Sequence, residues 1–162
     1  MSKEPKLYEV LNEAEEIVEK LCENEKIGKI LWAVVPKQVA VLCITNKERP
    51  KSLKTIAKIT RVSKPTEAVL DANKIDIRYI IELYASDWQS MSMAQKQAVI
   101  FHELLHIPSP LENGAVKHDV EDFAIMIDAF GPNWISRNED LPEILRDDVE
   151  FDMSLLPNKA EE

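Results

Sequence analysis

From Pro5 to Cys22, apolar residues recur at three- and four-residue spacing: Leu7, Val10, Leu11, Ala14, Ile17, Val18 and Leu21. Glu13, Glu15, Glu16 and Glu19 fill the opposite face. This period predicts an amphipathic helix, with Asn24 and Gly28 bracketing its end. Two Val- and Ile-rich runs follow, Ile30 to Val35 and Val39 to Thr45, separated by Pro36-Lys37-Gln38. They predict a β-hairpin or two adjacent strands. Asn46 to Ser52, containing Pro50, reads as a turn-rich connection. The apolar residues of Leu53 to Lys64 suit a short helix or a strand, and strand is preferred for Ile56 to Val62. Asp71 to Lys74 reads as a turn. The clearest strand pattern is Ile75 to Trp88, where Ile77, Tyr79, Ile81, Leu83 and Ala85 alternate with Asp76, Arg78, Glu82 and Tyr84.

Ser92-Met93-Ala94-Gln95 has the form of a capping box, a Ser N-cap with Gln three residues on. It predicts a helix running to about Ile107, stopped by Pro108 and Pro110. A polar loop with Asn113-Gly114 leads to a second amphipathic helix, roughly Lys117 to Phe130, closed by Gly131-Pro132. Leu141 to Val149 suggests one more short helix. The expected fold class is α+β: an N-terminal helix, a small mixed β-sheet and two later helices. Residues 1–150 are expected to form one domain and 151–162 a flexible acidic tail.

Charge narrows the partners. The formal net charge is -9 and the pI is about 4.9, so long-range attraction to nucleic acid or anionic lipid is disfavoured. There are two cysteines, Cys22 and Cys43, in apolar or amphipathic runs and not in a CxxC pair. A disulfide framework is not expected, and a cytoplasmic location fits better. The first ten residues lack a continuous apolar run, so a cleavable signal is not expected. No stretch approaches the length needed to span a bilayer.

Phe101-His102-Glu103-Leu104-Leu105-His106 matches HExxH on the predicted helix. Residues four apart share a helix face, so both imidazoles can reach one ion. Glu103, rotated by about 100° from His102, falls beside that ion. There it can take a proton from a zinc-bound water, whose pKa falls toward about 7. A catalytic zinc needs three protein ligands and an open position. The chain has three histidines, and His118 is the preferred third ligand. The plain alternative is a surface histidine near a helix N-terminus, with Glu121 or Asp122 supplying a carboxylate. Asp119 and Asp122 are candidates to orient an imidazole. Asp119 fits equally well as a partner of the helix dipole.

Through His102-Glu-Leu-Leu-His106 the sequence resembles the zincins. More narrowly it resembles the phage metallopeptidase family. The resemblance rests on Tyr79-Ile-Ile-Glu-Leu-Tyr84, Gln95 to Ile107, Lys117-His118-Asp119-Val120-Glu121-Asp122-Phe123, and Phe130-Gly-Pro-Asn-Trp134. It implies a zincin-like fold, one zinc ion on His102, His106 and His118, Glu103 as general base, and a peptide or protein substrate. The sequence departs from metzincins, which carry Gly and a third His soon after the motif; here Ile107-Pro108-Ser109-Pro110 stands there. It also shares HExxH and a downstream histidine with SprT-like proteases of DNA-bound proteins, a comparison that the acidic charge weakens.

The resulting expectation is amide hydrolysis, with an extended peptide pairing to the outer edge of the strand Ile77 to Ala85. Tyr79 and Tyr84 are candidates to bind substrate or steady the oxyanion, although both also read as ordinary strand aromatics. A non-catalytic zinc module is the competing reading. Lys47, Arg49, Lys51, Lys54, Lys58, Arg61 and Lys64 form a basic stretch. It reads either as a steering or nucleic-acid patch or as a solvated face balancing the acidic helices.

Overall fold

A computed structural model describes residues 4–53, 55–108, 123–131, 134 and 141–157. The chain enters through strand β1 (Tyr8–Val10) and continues into helices α1 (Asn12–Glu23) and α2 (Glu25–Ile30). Strands β2 (Val39–Ile44) and β3 (Ala57–Arg61) are followed by helix α3 (Lys64–Ala72) and strand β4 (Tyr79–Tyr84). Helices α4 (Ala85–Ser90), α5 (Met93–Leu104) and α6 (Ala124–Phe130) complete the regular structure, with a 3-10 turn at Met153–Leu155.

The four strands form one mixed sheet in the order β1-β2-β4-β3. β1 runs antiparallel to β2, β2 parallel to β4, and β3 antiparallel to β4. Registers Val41↔Ile81 and Cys43↔Leu83 set buried residues of neighbouring strands side by side. Because side chains alternate across a strand, this places Val39, Val41, Cys43, Ile81 and Leu83 on one core face. The core continues through Ala14, Ile17, Val18 and Leu21 of α1 and through most of α5.

Several expectations change here. The helix anticipated from Pro5 begins only at Asn12, because the preceding residues pair with β2. Leu11 N–H donates to the Val41 carbonyl and Thr45 N–H to that of Leu7. Leu7 and Val10, which fitted the helical period, are exposed (57% and 58%). Satisfying the edge of β2 outweighed local periodicity.

The anticipated strand at Ile30 to Val35, and with it the hairpin, is absent. Asn24 ends α1 as expected, its N–H donating to the Lys20 carbonyl, and it also starts α2: its side chain accepts from Lys26 N–H and Ile27 N–H. Gly28 lies so close to the end of α1 that a Cβ would sit 2.7 Å from the Cys22 carbonyl oxygen. Helix α3 was not anticipated, although Ser63 caps it and Pro65 sits in its first turn. The long strand expected to Trp88 ends at Tyr84, where α4 begins. Residues 141–149 form turns in place of the expected helix.

The expected β3, the α5 capping box and the terminal Gly131 agree with the structure. The segment anticipated as a tail begins with a docked residue: Phe151 packs on Phe101 and Phe130. Residues 117–122 of the second predicted helix lie outside the described residues. None of the described helices is long and apolar enough to cross a membrane.

Candidate metal centre

The capping box fixes where α5 starts. Gln95 N–H donates to Ser92 Oγ at 3.2 Å, and Ser92 N–H donates to Gln95 Oε1 at 3.0 Å. From there Ala98, Val99, Ile100, Phe101 and Leu104 are buried, so α5 is enclosed on most sides. Its last turn carries His102 and Glu103. The chain then tightens, with His106 N–H donating to the Glu103 carbonyl and Ile107 N–H to that of Leu104, each at 3.1 Å. Pro108, lacking an N–H, follows. His106 therefore sits two residues past α5, one turn from His102.

The two imidazoles lie side by side, with ring centroids 5.4 Å apart and planes at 74°. Fully buried Phe123, just before α6, presents its ring to both, 5.3 Å from His102 and 5.0 Å from His106. Buried Trp134 lies 5.5 Å from the His102 ring. Glu103, 6% exposed, is the one charged residue among the described buried residues. The arrangement is two half-buried imidazoles against an aromatic wall, with a buried carboxylate between them in sequence.

Residues 6–147 match the sequence model of the family described as "Putative phage metallopeptidase". The chain belongs to this family. No curated protein and no solved structure matches it.

Membership in a phage metallopeptidase family implies a metal ion, and the imidazole pair can be tested against one. With Zn–N bonds of about 2.0–2.1 Å, ring centroids lie about 3.2 Å from the ion and about 5.3 Å apart at a tetrahedral angle. The observed 5.4 Å fits that arrangement. Among the described residues, no three His, Cys, Asp or Glu side chains gather as a metal-holding group. His118, Asp119, Glu121 and Asp122, the remaining ligand and orienting candidates, lie outside the described residues.

The strand expectations need correction. β4 is an interior strand, flanked by β2 and β3, so it has no outer edge to offer a peptide. The strand that lies at the sheet edge and also packs near α5 is β3. Tyr79, at the start of β4, is half-buried beneath the Arg61 guanidinium, 5.5 Å from its ring. Burial raises its pKa above the usual phenol value. Tyr84 is buried at the far end of β4, with Lys6 Nζ 5.8 Å from its ring centre.

The basic stretch is largely paired within the chain. Arg49 bonds Asp87 at 2.9 Å, Arg61 bonds Glu67 at 3.0 Å, and Lys58 and Lys64 approach Glu82 and Glu67 at 3.7 and 3.6 Å. Lys47 Nζ donates to the Glu4 carbonyl. Sequence reasoning did not assign Phe123 and Trp134 to the site. Both enter the sequence analysis only as the ends of segments that carry the family resemblance, and nothing local says that they meet the imidazoles.

Proposed function

We propose that this chain is a zinc-dependent peptidase of zincin-like fold, cleaving peptide bonds in a peptide or protein substrate. The observation that carries the reading is the imidazole pair of His102 and His106, spaced as two ligands of one ion and adjoining a buried carboxylate. His118 would complete the ligand set, with Asp119 or Asp122 orienting an imidazole. When bound, the ion supplies the Lewis acidity that activates water and polarises the scissile carbonyl. Glu103 would take the proton from the attacking water and deliver it to the leaving amine nitrogen. Phe123 and Trp134 would exclude bulk water and strengthen charge interactions at the reacting atoms. An extended substrate would add alongside β3 through main-chain hydrogen bonds. The free Cys22 and Cys43 suit a cytoplasmic workplace. The in-chain pairing of Arg49, Lys58, Arg61 and Lys64 leaves little reason to favour a nucleic-acid-directed activity.

The test is metal analysis and a peptide-library digest on wild type, Glu103→Gln and His118→Ala. Wild type should carry one zinc and cleave. Glu103→Gln should keep the zinc and lose turnover by about 10²–10⁴-fold. His118→Ala should lose the metal. A metal-free wild type, or full activity in Glu103→Gln, would refute the proposal.

A further inference from the structure

The family match ends at residue 147, yet the chain beyond it reaches back to the helix that carries His102. Phe151 inserts its ring between two helices. It lies 5.5 Å from Phe101, the fully buried residue immediately before His102. It also lies 5.8 Å, edge to face, from Phe130 at the end of α6. α6 follows directly on Phe123, whose ring touches both imidazoles. Phe151 therefore bridges the two elements whose relative position sets the contact between Phe123 and the histidine pair.

The segment is fastened at separate points. Lys26 of α2 donates through Nζ to the backbone carbonyls of Asp147, at 3.0 Å, and Val149. Val149 is buried, and Leu155 and Leu156 pack against the core. Between α2 and this segment lies a cavity of about 470 Å³, lined in part by Lys26, Lys29, Ile144, Arg146, Phe151 and Met153. Among the described residues these separate fastenings surround an open space, so removing one ring should loosen the segment without dismantling the sheet.

We propose that residues 149–156 act as a clasp and that Phe151 is a positioning residue for the metal centre, acting through Phe101 and Phe130. The proposal rests on the metal-centre reading above, but its first test does not need the metal. Hydrogen exchange is measured on metal-free wild type, Phe151→Ala and Phe151→Leu. In Phe151→Ala, amides of 101–107 and 123–131 should exchange about tenfold faster, while those of β2 and β4 stay protected. Phe151→Leu should restore most of the protection. In parallel, zinc affinity by chelator competition should fall about tenfold in Phe151→Ala and recover in Phe151→Leu.

Unchanged exchange in Phe151→Ala overturns the clasp. So does a uniform rise across the sheet and helices, which marks a merely global loss of stability. Local loosening with unchanged zinc affinity overturns the positioning role. A wild type that binds no zinc but shows the local loosening overturns the metal-centre reading and the positioning role, and leaves the clasp standing.

Discussion

Glu13 ties three helices together, and its removal gives a prediction whose size and pH dependence both follow from the geometry. On α1, Glu13 Oε1 accepts from Trp88 Nε1 of α4 at 2.8 Å and from Lys96 Nζ of α5 at 2.6 Å. Lys96 Nζ also lies 5.1 Å from the Trp88 ring centre. The Glu13 side chain is 46% exposed and that of Lys96 16%, so solvent screens the pair substantially. An exposed ion pair contributes about 0.2–1 kcal/mol, and a charged hydrogen bond adds a similar amount after that discount. Glu13→Gln keeps an oxygen acceptor and removes the charge, so the expected loss is about 1 kcal/mol at pH 7. For a chain of this size that lowers Tm by about 2–4 °C.

The sign with pH is fixed. The hydrogen bond from Lys96 holds the Glu13 pKa below its ordinary 4.5; burial opposes it, and the bond from Trp88 and the Lys96 charge add to the lowering. A carboxyl depressed in the folded state stabilises above its unfolded pKa, and the contribution disappears as pH falls through the folded value. Urea melts of wild type and Glu13→Gln should therefore differ at pH 7 and converge well below pH 4.5. A Lys96→Met cycle should show most of the coupling at neutral pH. A deficit that persists unchanged in acid, or one above about 3 kcal/mol at pH 7, would refute the reasoning, because no screened surface charge is worth that much.

Two further predictions follow from single residues. Gly131 closes α6 with φ 85° and ψ 163°, a region reserved for glycine, so Gly131→Ala should cost about 1–3 kcal/mol by denaturant melt; an unchanged midpoint would contradict it. Burial, with a smaller push from Glu23, raises the Cys22 thiol to about 11, and burial followed by Glu9 raises that of Cys43. At pH 8 both should resist a thiol reagent in the native protein and react once it is unfolded; prompt native labelling of either would overturn that.

What could be read from the sequence depended on whether its determinants were local. The Ser92–Gln95 box is a four-residue contact, and the helix started where it said. The alternation through Ile81 and Leu83 located β4, because a strand with one core face carries a period of two. Helix α3 escaped because none of its side chains is buried, so no apolar stripe advertised it. β1 escaped for the opposite reason: Leu7 and Val10 mimicked a stripe while pairing as an edge strand. Strand order is set by contacts distant in sequence, so the interior place of β4 could not be read locally. The side-by-side placing of the His102 and His106 imidazoles was legible from their spacing. The meeting of Phe123 and Trp134 with the imidazoles depends on returns of the chain from 21 and 32 residues beyond His102.

The position of the imidazole pair in the helix also bears on what it can hold. His102 and Glu103 occupy the last turn of α5, the negative end of the helix dipole. A cation there gains about 0.3–1 kcal/mol from the dipole alone, and more where water is excluded. Phe123 and Trp134 exclude it on one side. Glu103, at 6% exposed, sets an acidic side chain in the same surroundings. Helix dipole and acidic side chain both favour a cation beside His102 and His106; the apolar wall strengthens those interactions and also raises the desolvation cost that a coordinated ion must overcome. The two attractive terms do not depend on the motif, so a cation-binding measurement on this end of α5 tests them separately from the HExxH spacing.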